Sequence, residues 1–234
     1  SKMSASTCTV YDFALMREVL DNALRPGGLV STQRALQFMP LNNGAVVLDA
    51  GCGPGKTVSY LCKQGKFQVI GLDSNQQFLP VDNSSANSAP AFACADICKL
   101  PLYSQSLDAV LCECVLSLLQ EPEKALAEFY RVLKQGGYLY YSDMFARRET
   151  NAFLNKGCAS CLTKAESRAV LRQRLVEQGF KILFEEDQTW LLRQTAGRLI
   201  FEYGSLELFW QAVLGTVPGA ECAGNIQELK PGYI

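Results

Sequence analysis

The chain has 234 residues, 48% hydrophobic and 19% charged, a length and balance that suit one α/β domain with a buried core rather than a disordered or fibrous chain. The net charge is −1 with no long Lys/Arg run, so no electrostatic footprint for nucleic acid or an anionic membrane is present. The absence of histidine removes both a Ser-His-Asp hydrolase and a His-ligated zinc enzyme from consideration.

No apolar stretch approaches the ~18 residues of a membrane span, and the opening SKMSASTCTVYDF lacks the apolar core of a signal peptide. Ten cysteines lie mostly inside apolar runs, where they read as small buried hydrophobes kept reduced, and a cytoplasmic location is expected. Oligomeric state stays open.

In chain order, Phe13, Met16, Leu20 and Leu24 recur at helical spacing and Arg25-Pro-Gly-Gly28 stops that helix. A second short helix is predicted over Thr32–Phe38. AVVLDAG is a buried parallel strand by its β-branched apolar run. Val58, Leu61 and Cys62 then make one helical face closed by Gly65. Strands are predicted at FQVIGLD, AFACAD, LDAVLCE and GYLYYSDM, with a helix from Pro122 to Gly136 between the last two. Thr163–Glu166 reads as a capping box for a helix with Leu171 and Leu175 inward, ended by Gly179. FKILFEED is a further strand. Trp190–Leu214 is helical with a break near Gly204, and its aromatics either cover the sheet or overlie an acceptor pocket. Strands alternating with helices imply a parallel sheet covered on both faces. One domain is expected: residues 1–40 as a helical cap, 41–188 as the core, and 189–234 as a C-terminal helical segment and last strand.

The chemistry concentrates in VVLDAGCGPGKT at 46–57. A strand entering a loop with Gly51, Gly53 and Gly55 gains unusual φ values and close backbone approach for a ligand. The helix that follows offers free N–H groups and its positive dipole end. The dinucleotide fingerprint G-x-G-x-x-G needs glycine where Lys56 stands, and a P-loop fails because Gly51 is one residue out of register. Asp49 precedes the first glycine, where a carboxylate can accept from the amino group of an amino-acid moiety. Asp73, 18 residues after Gly55, closes the second strand and suits ribose hydroxyls, and Asp96 after AFACA suits an adenine amino group.

VLDAGCGPG, IGLD, ADICKLPLYSQSLDAVLC and EFYRVLKQGGYLYYSD together resemble the class I S-adenosylmethionine (SAM)-dependent methyltransferases, over roughly residues 40–185. The resemblance implies a Rossmann-like, doubly wound, mostly parallel sheet of about seven strands with an N-terminal helical cap, to which RPGGLVST contributes. It places SAM, or its product S-adenosylhomocysteine (SAH), against Asp49, Gly51, Cys52, Gly53, Asp73, Ser74, Asp96, Ile97 and Cys112.

A narrower likeness is to the arsenite methyltransferases. Cys114, in ECVLSLLQEPEKALAEF, falls on their cysteine after strand four, and Cys158, in GCASCLTKAE, on a second. The sequence departs from them at Glu113, which replaces Asn, at Val58, which replaces a further cysteine, and at Cys161, which replaces glycine. Thiolates converging near a methyl donor would hold a thiophilic centre. Cys112, Cys114, Cys158 and Cys161 also have the number of ligands a structural zinc needs, and unrelated buried or exposed thiols are the simpler alternative.

SAM brings its own activated leaving group, so the protein's task is alignment and exclusion of water. Without histidine, Glu113 or Asp143 are the candidate bases, and Tyr11 or Tyr141 candidate orienting groups. Three functions stay in view: methyl transfer to a small-molecule acceptor, methylation of a thiophilic metalloid through Cys114 and Cys158, and SAM binding without turnover by an accessory protein.

Overall fold

The computed structural model describes residues 14–20, 23–80, 90–148, 162 and 165–234. Five parallel strands form the central sheet: β1 (Ala45–Ala50), β2 (Phe67–Asp73), β3 (Ala91–Cys94), β4 (Leu107–Glu113) and β5 (Leu133–Ser142), in the order β3-β2-β1-β4-β5. The order reverses at β1, so β1 and β4 diverge into connections on opposite sides and open a crevice at their carboxyl ends. A separate antiparallel pair joins β6 (Met144–Phe145) to β7 (Gly232–Tyr233). The expected sheet of about seven strands is therefore five plus a detached pair among the described residues.

Strand alternation sorts the side chains into two layers. Val47, Ala109 and Leu111 pack with Val58 and Leu61 of α3 (Lys56–Lys63) and with Ala35 of α2 (Val30–Leu36). Leu48, Val110 and Cys112 pack with Leu126, Phe129 and Val132 of α4 (Pro122–Val132). A third cluster lies off the sheet. It joins Met16 and Val19 of α1 (Ala14–Val19) to Leu191 and Leu199 of α6 (Thr189–Tyr203), Phe209 and Trp210 of α7 (Leu206–Leu214) and Ala223 of α8 (Thr216–Leu229), with Cys114, Met144 and Tyr233 between them. The predicted break falls at Gly204, φ +88, which caps α6.

Three expectations are corrected. Helix α4 ends at Val132 rather than Gly136, because Gln105 and Ser106 donate to the Arg131 and Val132 carbonyls and Leu133 already pairs with Leu107. Helix α5 (Arg168–Glu177) is capped by Ser167, whose side chain accepts from Val170 N–H, and Thr163 of the expected capping box lies outside the described residues. FKILFEED forms no strand. Its side chains are drawn to helices instead: Phe184 stacks on Phe38 with centroids 3.8 Å apart, Glu185 pairs with Arg168 and Arg172, and Glu186 pairs with Arg34. A cavity of about 950 Å³ is left between this segment and Leu139 and Tyr141 of β5.

Candidate methyl-donor site

The apolar run of β1 carries the chain through the sheet to Asp49 and releases it into the glycine loop. Gly51 turns at φ +77, and a Cβ there would stand 2.5 Å from a Val115 methyl. Gly53 turns at φ +51 and Gly55 at φ +80, the latter capping α3. A side chain in this left-handed region costs energy even where space allows. The loop is held by its neighbour strand. Leu72 O accepts from the N–H groups of Gly51 and Cys52 at 2.7 and 2.9 Å, and Asp73 Oδ2 accepts from Gly53 N–H at 2.8 Å. Asp73 Oδ1 accepts from Asn75 N–H at 2.8 Å.

Asp49 and Asp73, in the last residues of β1 and β2, and Gly51, Cys52, Gly53, Ser74 and Asp96, in the loops that follow β1, β2 and β3, thus lie at the carboxyl edge of the sheet, the end at which open α/β sheets bind ligands. Ser74 and Asp96 are exposed, Asp96 Oδ1 accepting from Cys98 N–H. Ile97 is 5% exposed and belongs to the α4-side core. Cys112 has 0% exposure in the same core, so its side chain offers no surface to a cofactor. Cys114 turns away from it, at φ +56, into the third cluster. The two cysteines of the Cys-x-Cys therefore belong to different apolar clusters. Among the described residues no group of three or more Cys, Asp or Glu is placed to hold a metal. Cys158, Cys161 and Tyr11 lie outside the described residues.

Glu113 is not a free carboxylate. Arg25 NH2 stands 2.9 Å from its Oε2, with the two side chains 6% and 2% exposed. Thr32 and Thr57 hydroxyls donate to Glu113 at 2.8 and 3.2 Å, and Arg25 also donates to both threonines, at 2.7 and 2.8 Å. Burial raises the Glu113 pKa against the opposing pull of Arg25 and the threonines. Asp49, on the neighbouring strand, is pushed up to about 8 by burial and by the Glu113 charge, with Arg25 opposing and Asp73 adding. Asp143 is pushed up to about 6 by burial, against hydrogen bonds from Ser117 and Met144 N–H. A carboxylate whose two oxygens are taken by an ion pair and two hydroxyls is poorly placed to collect a proton, so this geometry offers no support for Glu113 as a base.

Residues 48–141 match the family model described as Methyltransferase domain. This segment is a class I methyltransferase domain. Such domains use SAM. A malonyl-[acyl-carrier protein] O-methyltransferase of Marinomonas sp. (strain MWYL1) is 34% identical over 118 residues, 49% of this chain and 44% of that protein. An arsenite methyltransferase of Aquipseudomonas alcaligenes is 33% identical over 121 residues, 46% of this chain and 35% of that protein. The phosphoethanolamine N-methyltransferase 2 of Haemonchus contortus, solved with phosphomonomethylethanolamine and SAH, shares the fold at a TM-score of 0.69 and 17% identity, over 96% of this chain and 55% of that one. The chain spans about half or less of the curated relatives it matches.

Around the methyltransferase domain, no helix among the described residues is long and apolar enough to cross a membrane. Of the aromatics expected after the core, Phe209 and Trp210 are buried in the third cluster, whereas Trp190 is 51% and Phe201 91% exposed. Sequence reasoning missed Arg25 and Thr57. Arg25 was visible only within the helix-stopping, cap-forming RPGGLVST, and nothing local announces a partner as remote as Glu113.

Proposed function

We propose that this chain is a SAM-dependent methyltransferase acting on a small-molecule acceptor. The observation that carries the reading is the coupled loop: Asp73 at the end of β2 holds Gly53 of the glycine loop, beside the buried carboxylate of Asp49. The residues fit the cofactor chemically. A Cβ at Gly51 would fill the cradle, Asp49 suits an ammonium, and Asp73 suits vicinal hydroxyls. Gly53, Ser74 and Asp96 complete the binding set, with Asp96 toward the base. When bound, SAM supplies a methyl group already activated on sulfonium. The chain's own residues then orient the acceptor and exclude water. The third cluster, where α1 meets α6 to α8 around Cys114, is the proposed cover over that acceptor, with residues 1–40 as cap and 189–234 as the opposite wall.

The malonyl-[acyl-carrier protein] and arsenite names of two relatives are leads to acceptors. The arsenite reading would use Cys114, which lies in the third cluster, and Cys158, which lies outside the described residues. Calorimetric titration with SAH is expected to give one site per chain, and methyl transfer from SAM to a panel of small nucleophiles then ranks acceptors. No SAH binding by folded protein overturns the reading. Binding without turnover on any acceptor favours the accessory-protein alternative.

A further inference from the structure

Resting on the methyl-donor reading, we propose that Arg25 is a positioning residue that clamps residues 23–32 onto the cofactor loop and makes their closure depend on cofactor occupancy. Four side chains from three separate segments meet out of water. Arg25 and Thr32 come from the N-terminal segment, Thr57 from the first turn of α3 behind the glycine loop, and Glu113 from the end of β4. Arg25 also donates to Ala23 O at 3.1 Å, while its Nε is buried with no hydrogen-bond partner. A guanidinium can join such a set because its planar fork serves several acceptors at once.

The same segment touches the loop directly. Leu24 holds φ +55, and its Cδ1 is 3.2 Å from the place a Gly53 Cβ would occupy. On its outer side the segment rests on α6. Gly27 turns at φ +71 where any Cβ would strike Leu191 at 2.5 Å, and Gly27 N–H donates to Thr195 at 3.4 Å. Residues 23–32 are thus a bridge between the C-terminal helices and the loop that holds the donor, fastened at the loop end by one cation.

The shared contacts give the coupling. Arg25 pairs with Glu113 and donates to Thr57, and Thr57 stands in the first turn of α3, directly after the glycine loop. A ligand that orders the loop at Gly51, Gly53 and Gly55 orders that turn, and with it the segment 23–32 that Arg25 and Leu24 fasten to it. By reciprocity, whatever closes the bridge strengthens cofactor binding by the same factor.

Amide hydrogen exchange of the full chain with and without SAH tests this. SAH is expected to slow exchange at 51–57 and at 23–32 in the wild type. The double variant Arg25→Met with Glu113→Leu removes both charges and leaves neither orphaned, a replacement that buried pairs often tolerate. In it SAH is expected to slow 51–57 still, with protection of 23–32 reduced at least tenfold. Thr57→Val, which cuts only the link to α3, serves if the double variant does not fold, and is expected to reduce that protection about threefold. Arg25→Lys, keeping the charge, is expected to recover part of it. Equal SAH protection of 23–32 in wild type and variants overturns the clamp, as does its absence in the wild type. No slowing at 51–57 in the wild type defeats the methyl-donor reading, and the clamp falls with it.

Discussion

The Asp73 carboxylate at the end of β2 accepts the Gly53 N–H at 2.8 Å, so one side chain sets the loop of the neighbouring strand. The group assigned to the ribose is also a strut for the glycine loop, and the two roles fail together.

Asp73→Ala removes the loop strut and the proposed acceptor for two hydroxyls. Charge-assisted bonds contribute roughly 1.5–3 kcal/mol each. SAH affinity is therefore expected to fall at least tenfold by calorimetry. Unchanged affinity would take Asp73 out of the site.

Gly53→Val places a β-branched side chain at φ +51 and drives it against Leu24. SAH binding is expected to disappear while far-UV dichroism stays that of a folded chain. Gly44→Ala is the control. Gly44 also has a positive φ, +83, but nothing lies within 4 Å of an added Cβ, so only about 1 kcal/mol of backbone strain and no loss of binding are expected. Normal binding by Gly53→Val would show that the loop does not meet the ligand.

Asp49 gives the site a pH dependence. Its pKa, about 8 in the ligand-free chain, lies above the unfolded value near 4. The folded chain thus holds a proton here that the unfolded chain has lost, and this group's contribution to stability declines as pH rises from about 4 through 8. An ammonium ligand requires the ionised form. SAH affinity is expected to rise from pH 6 to 8, with proton release seen as a buffer-dependent binding enthalpy. Asp49→Asn, with Glu113, Asp73 and Arg25 still facing the position, is expected to flatten both effects. A wild-type affinity that is flat with pH would refute the assignment.

The two cysteines at the end of β4 belong to different layers, and substitution is expected to separate them. Cys112→Ser puts a hydroxyl into the α4-side core at a cost of about 1–3 kcal/mol, seen as a lower Tm, with SAH affinity unchanged. Arsenite uptake that needs both Cys112 and Cys114 is not expected, since the two side chains pack into different clusters. Its observation in titrations of the two single variants would show that the thiols converge.

Much of this was legible in the sequence because the signals were local. β1, β2 and β4 announced themselves as apolar runs with Asp or Glu at or next to their ends, and Gly51, Gly53 and Gly55 sit where positive φ is needed. Gly204 was readable as a helix break for the same reason. FKILFEED misled because a short apolar run does not say whether a sheet edge or a helix surface will take it. Here Phe38, Arg34 and Arg168 took it. Cys112 misled because its place near the end of β4 was read without the face alternation that sends it inward. The Arg25–Glu113 pair was invisible because its members are remote in sequence: Glu113 was read as a base and RPGGLVST as a cap, with nothing to join them.

Thr32 donates to Glu113 across 81 residues of chain, while Arg25 donates to Thr32 across only 7. Closing the longer loop costs about 2 kcal/mol more chain entropy than closing the shorter one. Arg25 and Thr32 leave the ribosome well before Glu113 exists, and they have no ionic anchor until β4 is laid beside β1. The segment made earlier is therefore seated later, and thermal fraying of the native molecule is expected to reach residues 23–32 before it reaches the central sheet.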